Sequence, residues 1–320
     1  MTKIQVMRDL LAQKKLIISP NVYDGYSAML VSRMGFKAAA TTGAGLANSR
    51  LGLPDIGLMS LMENVDVCRT LVRIMSIPLM ADADTGYGNA VSVYHTTQFF
   101  EEAGVVGINI EDQVSPKRCG HMQGKQLITH REMVKKIEAA VKARKDPGFI
   151  INARTDAIAV EGFDTALARL KEYVAAGADM VFPETVRNED QIQRVVEMVG
   201  APVSINMGFG IMSRATTPLI SYKRLEQIGV ARVTVPRLIS ASAIAGMTLG
   251  LQALLDCVDQ DVMTERPDLV ASMEEITALV GYEKVAKLEE EFMLEEDIRE
   301  RYADGKPQYW SGKKSDNTKL

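Results

Sequence analysis

Short aliphatic runs alternate with longer amphipathic stretches along most of this 320-residue chain. The runs are LIIS (16–19), FKAAATT (36–42), IPLMADAD (77–84), VGINIED (106–112), FIINART (149–155), DMVFPE (179–184), PVSIN (202–206) and ARVTVP (231–236). Between them lie stretches such as NVDVCRTLVRIM, REMVKKIEAAVKA and EDQIQRVVEMVG, whose apolar positions recur at helical spacing. Several of these stretches end on Gly just before the next run, as a helix C-terminus prefers. Eight buried-looking strands alternating with helices over about 240 residues predict an α/β fold, a (β/α)8 barrel of the TIM type. A doubly wound open sheet is the alternative. It calls for a Gly-rich turn after the first strand, and SPNVYDGYS is not one.

The pattern also divides the chain. Residues 1–257 are assigned to the barrel, whose last stretch, RLISASAIAGMTLGLQALLDC, reads as a strongly apolar helix. Residues 258–300 form a helical extension that needs a surface to cover, and a neighbouring subunit is the expected one. Residues 301–320 are polar and aperiodic, the pattern of a disordered tail.

Composition narrows the function classes. A hydrophobic fraction of 47% and a charged fraction of 24% suit a globular chain with a substantial core. The formal charge of -4 argues against a nucleic-acid surface or a polybasic membrane patch. The opening MTKIQVMRDLLAQKK lacks the apolar core of a secretory signal, and no run is read as long enough to span a bilayer. Cys68, Cys119 and Cys257 are far apart with no CxxC pair, so neither a disulfide framework nor a structural zinc site is expected. A cytoplasmic location is the expectation.

In a barrel of this type the active site sits at the C-terminal ends of the strands. Those ends carry Thr42-Gly43, Asp82 and Asp84, Glu111 and Asp112, Arg154, Glu184 and Asn206. Carboxylates from several strands, a guanidinium and an amide therefore converge on one mouth. In ADADTGYGN (81–89) two acids at alternate positions share a face, and Gly86 and Gly88 permit a tight turn. Such hard oxygen donors suit Mg²⁺, with Mn²⁺ as its substitute. Glu111 and Asp112 supply further acceptors, and Asp55 in LGLPDIG reaches the same place. Arg154 suits bidentate carboxylate or phosphate binding; an ion pair with Asp156 or Glu184 is its alternative, and the two are compatible. Cys119 stands in VSPKRCGHMQG, a polar stretch where Lys117, Arg118 and His121 favour its thiolate. Acid and nucleophile both remain open for it on residue type alone.

Taken in order, LGLPDIG, DADTGYGN, INIEDQVSPKRCGH, INARTDA and MVFPET resemble the isocitrate lyase/phosphoenolpyruvate mutase superfamily, over about residues 5–300. The 2-methylisocitrate lyases, 2,3-dimethylmalate lyases and the petal death protein group are the members it is most similar to. The resemblance implies a barrel that swaps a C-terminal helix within a dimer-of-dimers homotetramer. It implies Asp84 as the direct Mg²⁺ ligand, with Asp55, Asp82 and Glu111 holding the metal's waters. It implies that Thr42, Gly43 and Ala44 grip the hydroxy- or keto-acid end of a small acid substrate. Arg154 matches a residue for the substrate carboxylate, and Glu184 and Asn206 match pocket residues. Cys119 matches the general acid of a gating loop, Lys117–His121; phosphoenolpyruvate mutases lack that cysteine, so its presence implies carbon–carbon cleavage over phosphoryl transfer. The implied activity is Mg-dependent carbon–carbon cleavage of a 2-hydroxy dicarboxylate, such as 2,3-dimethylmalate or 2-methylisocitrate, to a 2-keto acid and a carboxylic acid. An oxaloacetate hydrolase or decarboxylase is the alternative, followed by a phosphonopyruvate enzyme and a non-catalytic oligomeric scaffold.

Three positions depart from the superfamily pattern. Ala40 replaces an aromatic residue, and Asn109 replaces the histidine common before IEDQ. NMGFGIMSRATTP (206–218) replaces a segment that normally carries a glutamate and serves the far end of the substrate. These departures favour a smaller alkylmalate over a tricarboxylate. Thr234, at the end of the eighth run, is placed to touch the leaving portion, and its hydroxyl suits oxaloacetate hydrate.

Overall fold

The computed structural model describes residues 1–209 and 217–302. All eight runs form strands: β1 Ile17–Val22, β2 Ala39–Thr41, β3 Leu79–Asp82, β4 Gly107–Glu111, β5 Ile150–Thr155, β6 Met180–Pro183, β7 Ser204–Asn206 and β8 Arg232–Val235. They are parallel, in the order β6-β5-β4-β3-β2-β1-β8-β7. A single parallel bridge, Val181 with Val203, joins the two ends of this order. The sheet is thus a nearly closed (β/α)8 barrel, as expected, and the open-sheet alternative is set aside.

β1 runs further than its apolar run, through Pro20 and Asn21. Those residues read as a turn, yet Asn21 stitches the strand on both sides. Its Nδ2 donates to the Thr41 carbonyl at 2.8 Å, and its Oδ1 accepts from Val235 N at 3.0 Å. Side-chain bonds here substitute for the ladder bonds that proline cannot make.

The N-terminal end of the barrel is plugged. The helix Lys3–Ala12 places Met7, fully buried, among Ile17, Ala38, Val106, Ile150 and Met180 at the strand starts. The larger core lies between strands and outer helices, with Leu71, Phe100, Ile137 and Leu170 among its members. Helix starts are chemically fixed. Ser60 with Glu63, and Thr129 with Glu132, form capping boxes that satisfy otherwise orphaned backbone donors.

Alternation along a strand decides where neighbouring acids point. Glu111 faces the barrel mouth, whereas Asp112 faces outward, and this corrects the expectation that both serve one site. Asp112 is fully buried and accepts from Thr155 Oγ1 (2.6 Å), Tyr173 OH (2.7 Å) and Asp156 N (2.9 Å), with Arg169 at 3.3 Å. Burial pushes its carboxyl upward, and the bonds from Thr155 and Asp156 oppose that shift. Replacing Asp112 with Ala strands a buried arginine and several donors. A loss of about 3–5 kcal/mol is expected, read by denaturant unfolding, with Asp112→Asn losing less.

The chain forms two compact units, Met1–Ala243 and Ile244–Leu320, and the division falls inside the helix Leu238–Gln260. That helix has a mean hydropathy of 1.7 over its best 18-residue window. By length and composition it could cross a membrane, contrary to the expectation of no such run. Small residues and glycines interrupt the apolar letters without interrupting the helix. Ile244, Met247, Leu251, Leu254 and Val258, spaced by three and four, make an exposed apolar stripe in the single chain. The second unit also contains the helices Met273–Val280, Tyr282–Phe292 and Glu295–Arg301. The expected tail, apart from residues 301 and 302, lies outside the described residues.

Candidate active site

The β2 and β3 ends set one wall of a cavity at the barrel mouth. Thr42 follows β2, and its hydroxyl accepts from Gly45 N (3.1 Å), starting the short helix Gly43–Leu46. Gly43 N donates to Asp82 Oδ2 at 3.2 Å, and a Cβ at Gly43 would come within 2.7 Å of that same oxygen. Only glycine lets the backbone approach the acid so closely. Asp82 Oδ1 accepts from Asp84 N (3.1 Å), so two backbone amides hold this carboxylate in place. Asp84 itself adopts φ 46°, a left-handed conformation, in the turn after β3. Lys136 Nζ supports that turn through the Thr85 carbonyl (2.8 Å).

The stretch Pro116–His121 forms the roof. Lys117 is buried, and its Nζ contacts Asp55 Oδ1 (2.5 Å) and Asp84 Oδ1 (3.1 Å). It therefore pairs with the acids, and no described contact joins it to the thiol it was expected to tune. Burial opposes its charge, but Asp84, Glu111, Asp82 and Asp55 together hold it well above the ordinary lysine range. Asp84 is pushed up by burial, against Lys117 and with Asp82 and Asp55, to about 6. Burial likewise raises Glu111, against Arg154 and Lys117.

Arg154, at the end of β5, sits among three carboxylates: Asp156 (2.9 Å), Glu111 (3.2 Å) and Glu184 (3.2 Å). The ion-pair alternative from the sequence is thus realised, and with more partners than foreseen. A relay continues from Glu184 Oε2, which accepts from Asn206 Nδ2 (2.9 Å), to Thr234 Oγ1, which donates to Asn206 Oδ1. The roof presses on this group: a Cβ on Gly120 would lie 2.5 Å from Arg154 Nη2 and 2.8 Å from Glu184 Cγ. Gly120→Ala is accordingly expected to keep the wild-type melting temperature but lose about 100-fold in turnover. Steady-state kinetics beside a thermal melt would check it, since a misplacement near 1 Å has about that effect.

One cavity brings together Thr42, Gly43, Ala44, Asp55, Asp82, Lys117, Cys119, His121, Arg154, Glu184, Asn206 and Thr234. Asp84 and Glu111 lie just behind its wall, joined to it through Lys117 and Arg154. Among the described residues no three acids, histidines or cysteines are grouped so as to hold a metal ion by themselves. Cys119 is half-buried in the cavity, whereas Cys68 is fully buried in the core, as its apolar helix predicts. Of the departing segment 206–218, residues 210–216 lie outside the described residues.

Two contributors, Arg237 and Lys125, were not foreseen, and a third, Asn109, was noted only as a departure from the superfamily pattern. Arg237 Nη2 lies 3.7 Å from Cys119 Sγ, the cation nearest the thiol among the described contacts. Lys125, buried, ties the Gly120 carbonyl (2.7 Å) to Asp156 (2.8 Å). Asn109 lines the cavity while its Oδ1 accepts from Asn152 Nδ2 (2.6 Å) and from the fully buried Arg232 (3.3 Å). A polar residue inside a strand signals Asn109 and Asn152. Nothing local in the sequence marks Arg237.

Comparison with known proteins agrees with this architecture. The family model for phosphoenolpyruvate phosphomutase matches residues 7–255. A 2,3-dimethylmalate lyase from Eubacterium barkeri is 37% identical over 290 residues, covering 89% of this chain and 96% of the relative. A 2-methylisocitrate lyase from Aeropyrum pernix is 38% identical over 288 residues, covering 89% and 90%. The structure of oxaloacetate acetylhydrolase with the inhibitor 3,3-difluorooxalacetate superposes with a TM-score of 0.82 at 29% identity, covering 90% of this chain and 96% of that one. A phosphonopyruvate hydrolase solved with oxalate and Mg²⁺ gives 0.79 at 27% identity, covering 92% and 100%. With this fold, and with relatives this similar over nearly their whole length, the chain belongs to the phosphoenolpyruvate phosphomutase family and is, like its curated relatives, a lyase.

Proposed function

We propose that this chain cleaves the C2–C3 bond of a 2-hydroxy dicarboxylate, with Mg²⁺, to a 2-keto acid and a carboxylic acid. The observation that carries the reading is the meeting of a thiol, Cys119, with the Thr42–Ala44 loop, Asp82 and Arg154 in one cavity. An alkylmalate such as 2,3-dimethylmalate is the favoured substrate, with 2-methylisocitrate next. Relatives named for both are similar along almost the whole chain.

The donors fit a hard dication. Asp84, with Asp82, Asp55 and Glu111 around it, offers only oxygen, and Mg²⁺ keeps most of its waters and takes one or two carboxylates. The Lys117 ammonium already lies against Asp55 and Asp84, so this wall is built to receive positive charge. When bound, the metal would act as a Lewis acid for the hydroxy- or keto-acid end.

The chain's own residues supply the rest. Thr42–Ala44 hold that end of the substrate, and Arg154 offers it guanidinium N–H donors while its three carboxylates fix its plane. The C2 hydroxyl gives up its proton to a base in the cavity, a carboxylate or a water, C2 becomes a carbonyl, and the C2–C3 electron pair stays with C3 as an enediolate. Cys119 Sγ–H then protonates C3, and the roof excludes water during the step. The exposed stripe on Leu238–Gln260 supports assembly with further copies as a helix-swapped homotetramer, since three-and-four spacing suits a helix seam.

The test is a product-resolved screen of malate, citramalate, 2,3-dimethylmalate, 2-methylisocitrate and oxaloacetate, with Mg²⁺ and again with EDTA. Pyruvate plus a second acid, lost with EDTA, is expected. Oxalate and acetate would mark a hydrolase, pyruvate and carbon dioxide a decarboxylase, and either would displace the proposal.

A further inference from the structure

Among the described residues, three cations line the cavity walls near the reacting groups: Lys117, Arg154 and Arg237. Two are already neutralised. Lys117 is matched by Asp55 and Asp84, and Arg154 by Asp156, Glu111 and Glu184. Arg237 differs. It follows β8, is half-buried, and among the described residues has no carboxylate within ion-pair distance. Its Nη1 donates to the neutral Asn48 Oδ1 (3.1 Å), and its Nη2 lies 3.7 Å from Cys119 Sγ. Two partners orient the guanidinium and leave its charge unanswered. A partly desolvated cation of this kind favours an anionic partner, and its planar fork suits a carboxylate.

The position of that partner follows from the chemistry, given the lyase reading above, on which this inference rests. The carbon that Cys119 protonates must lie within reach of Sγ. In every substrate of the proposed class that carbon bears a carboxylate, so the carboxylate is one bond from the proton's destination. A guanidinium 3.7 Å from the same sulfur is on that side of the cavity. We propose that Arg237 binds the carboxylate attached to C3, the one that leaves with the second product, and thereby selects dicarboxylates. As C2–C3 breaks, the electron pair left on C3 delocalises into this carboxylate. Arg237 then faces growing negative charge, so it binds the transition state more tightly than the substrate. Thr42–Ala44 and Arg154 hold one end of the substrate and Arg237 the other, with Cys119 over the bond between them.

The test separates the two ends. 3,3-Difluorooxaloacetate carries the C3 carboxylate, and oxalate has only the two-carbon end. Both are titrated calorimetrically, with Mg²⁺ present, into the wild type, Arg237→Gln and Arg237→Lys. Arg237→Gln is expected to weaken difluorooxaloacetate about 10- to 100-fold, the range of a lost charge-assisted pair, and to leave oxalate within about twofold. Arg237→Lys should recover part of the loss, since it restores charge without the fork. Equal weakening of both ligands would mean that Arg237 only holds the cavity through Asn48 and Cys119, and would overturn the inference. So would no weakening of either. A wild type that binds neither ligand would refute the proposed function itself, which the unequal or equal losses in the variants do not address.

Discussion

Cys119→Ser is expected to lose about 100- to 10,000-fold in carbon–carbon cleavage, the span of a missing general acid, while binding oxalate within about threefold of the wild type. The substitution is nearly isosteric, so the cavity wall, the Arg237 contact and the roof remain. What changes is acidity. A thiol is a far stronger acid than an aliphatic hydroxyl, so the serine holds its proton when C3 needs one. The measurement is single-turnover product formation beside oxalate titration. Turnover near the wild-type rate would remove the general-acid role. Loss of turnover together with oxalate binding would instead make Cys119 a structural residue of the roof. Gly120→Ala shifts the roof without touching the thiol. The two variants together therefore separate proton delivery from closure.

The barrel was legible because its strands are buried on both faces and read as continuous aliphatic runs. LIIS to ARVTVP each appear as a strand within a few residues. The site was legible for a related reason: barrel topology collects strand ends, so acids that alternate with apolar residues must share the mouth. The same logic fails for finer choices. Glu111 and Asp112 are adjacent letters, and only the pleat sends one to Arg154 behind the cavity wall and the other to Arg169 and Tyr173. Lys117 is two residues from Cys119, which made it the natural cation for the thiol, yet its stem carries the charge to Asp55 and Asp84. Arg237, 118 positions away in sequence, is the cation that arrives there instead. Residues close in sequence diverged and residues far apart met, because strand ends bring together what the chain separates. The helix Leu238–Gln260 illustrates a different limit. It was legible as a strongly apolar helix, but the small residues between its larger apolar letters hid that it is long and apolar enough to cross a membrane.

Arg154→Met is expected to abolish cleavage and also to destabilise the barrel, by about 3–5 kcal/mol at neutral pH. Asp156, Glu111 and Glu184 are all at most 2% exposed and lean on this one guanidinium. For Asp156, burial alone would raise the carboxyl, but Arg154 and then Lys125 outweigh it and hold it below the ordinary range. A depressed carboxyl adds stability above its unfolded pKa and loses it as pH falls through the folded value. Removing Arg154 reverses the balance. Burial then dominates, the native carboxyl rises above its unfolded value, and its charge becomes a cost that grows as pH climbs through that interval. The deficit relative to wild type should therefore be widest near pH 8 and narrow toward pH 5, where protonation relieves the crowded acids. Thermal melts across that range would show it as a gap on the order of 10 °C at the alkaline end. Arg154→Lys, which keeps charge but cannot reach three carboxylates at once, should recover most of the stability and little of the turnover. A gap that stayed constant with pH would mean that the acids around Arg154 are not the source of the loss. A Lys variant with full activity would mean that charge alone, without the fork, is what the substrate requires.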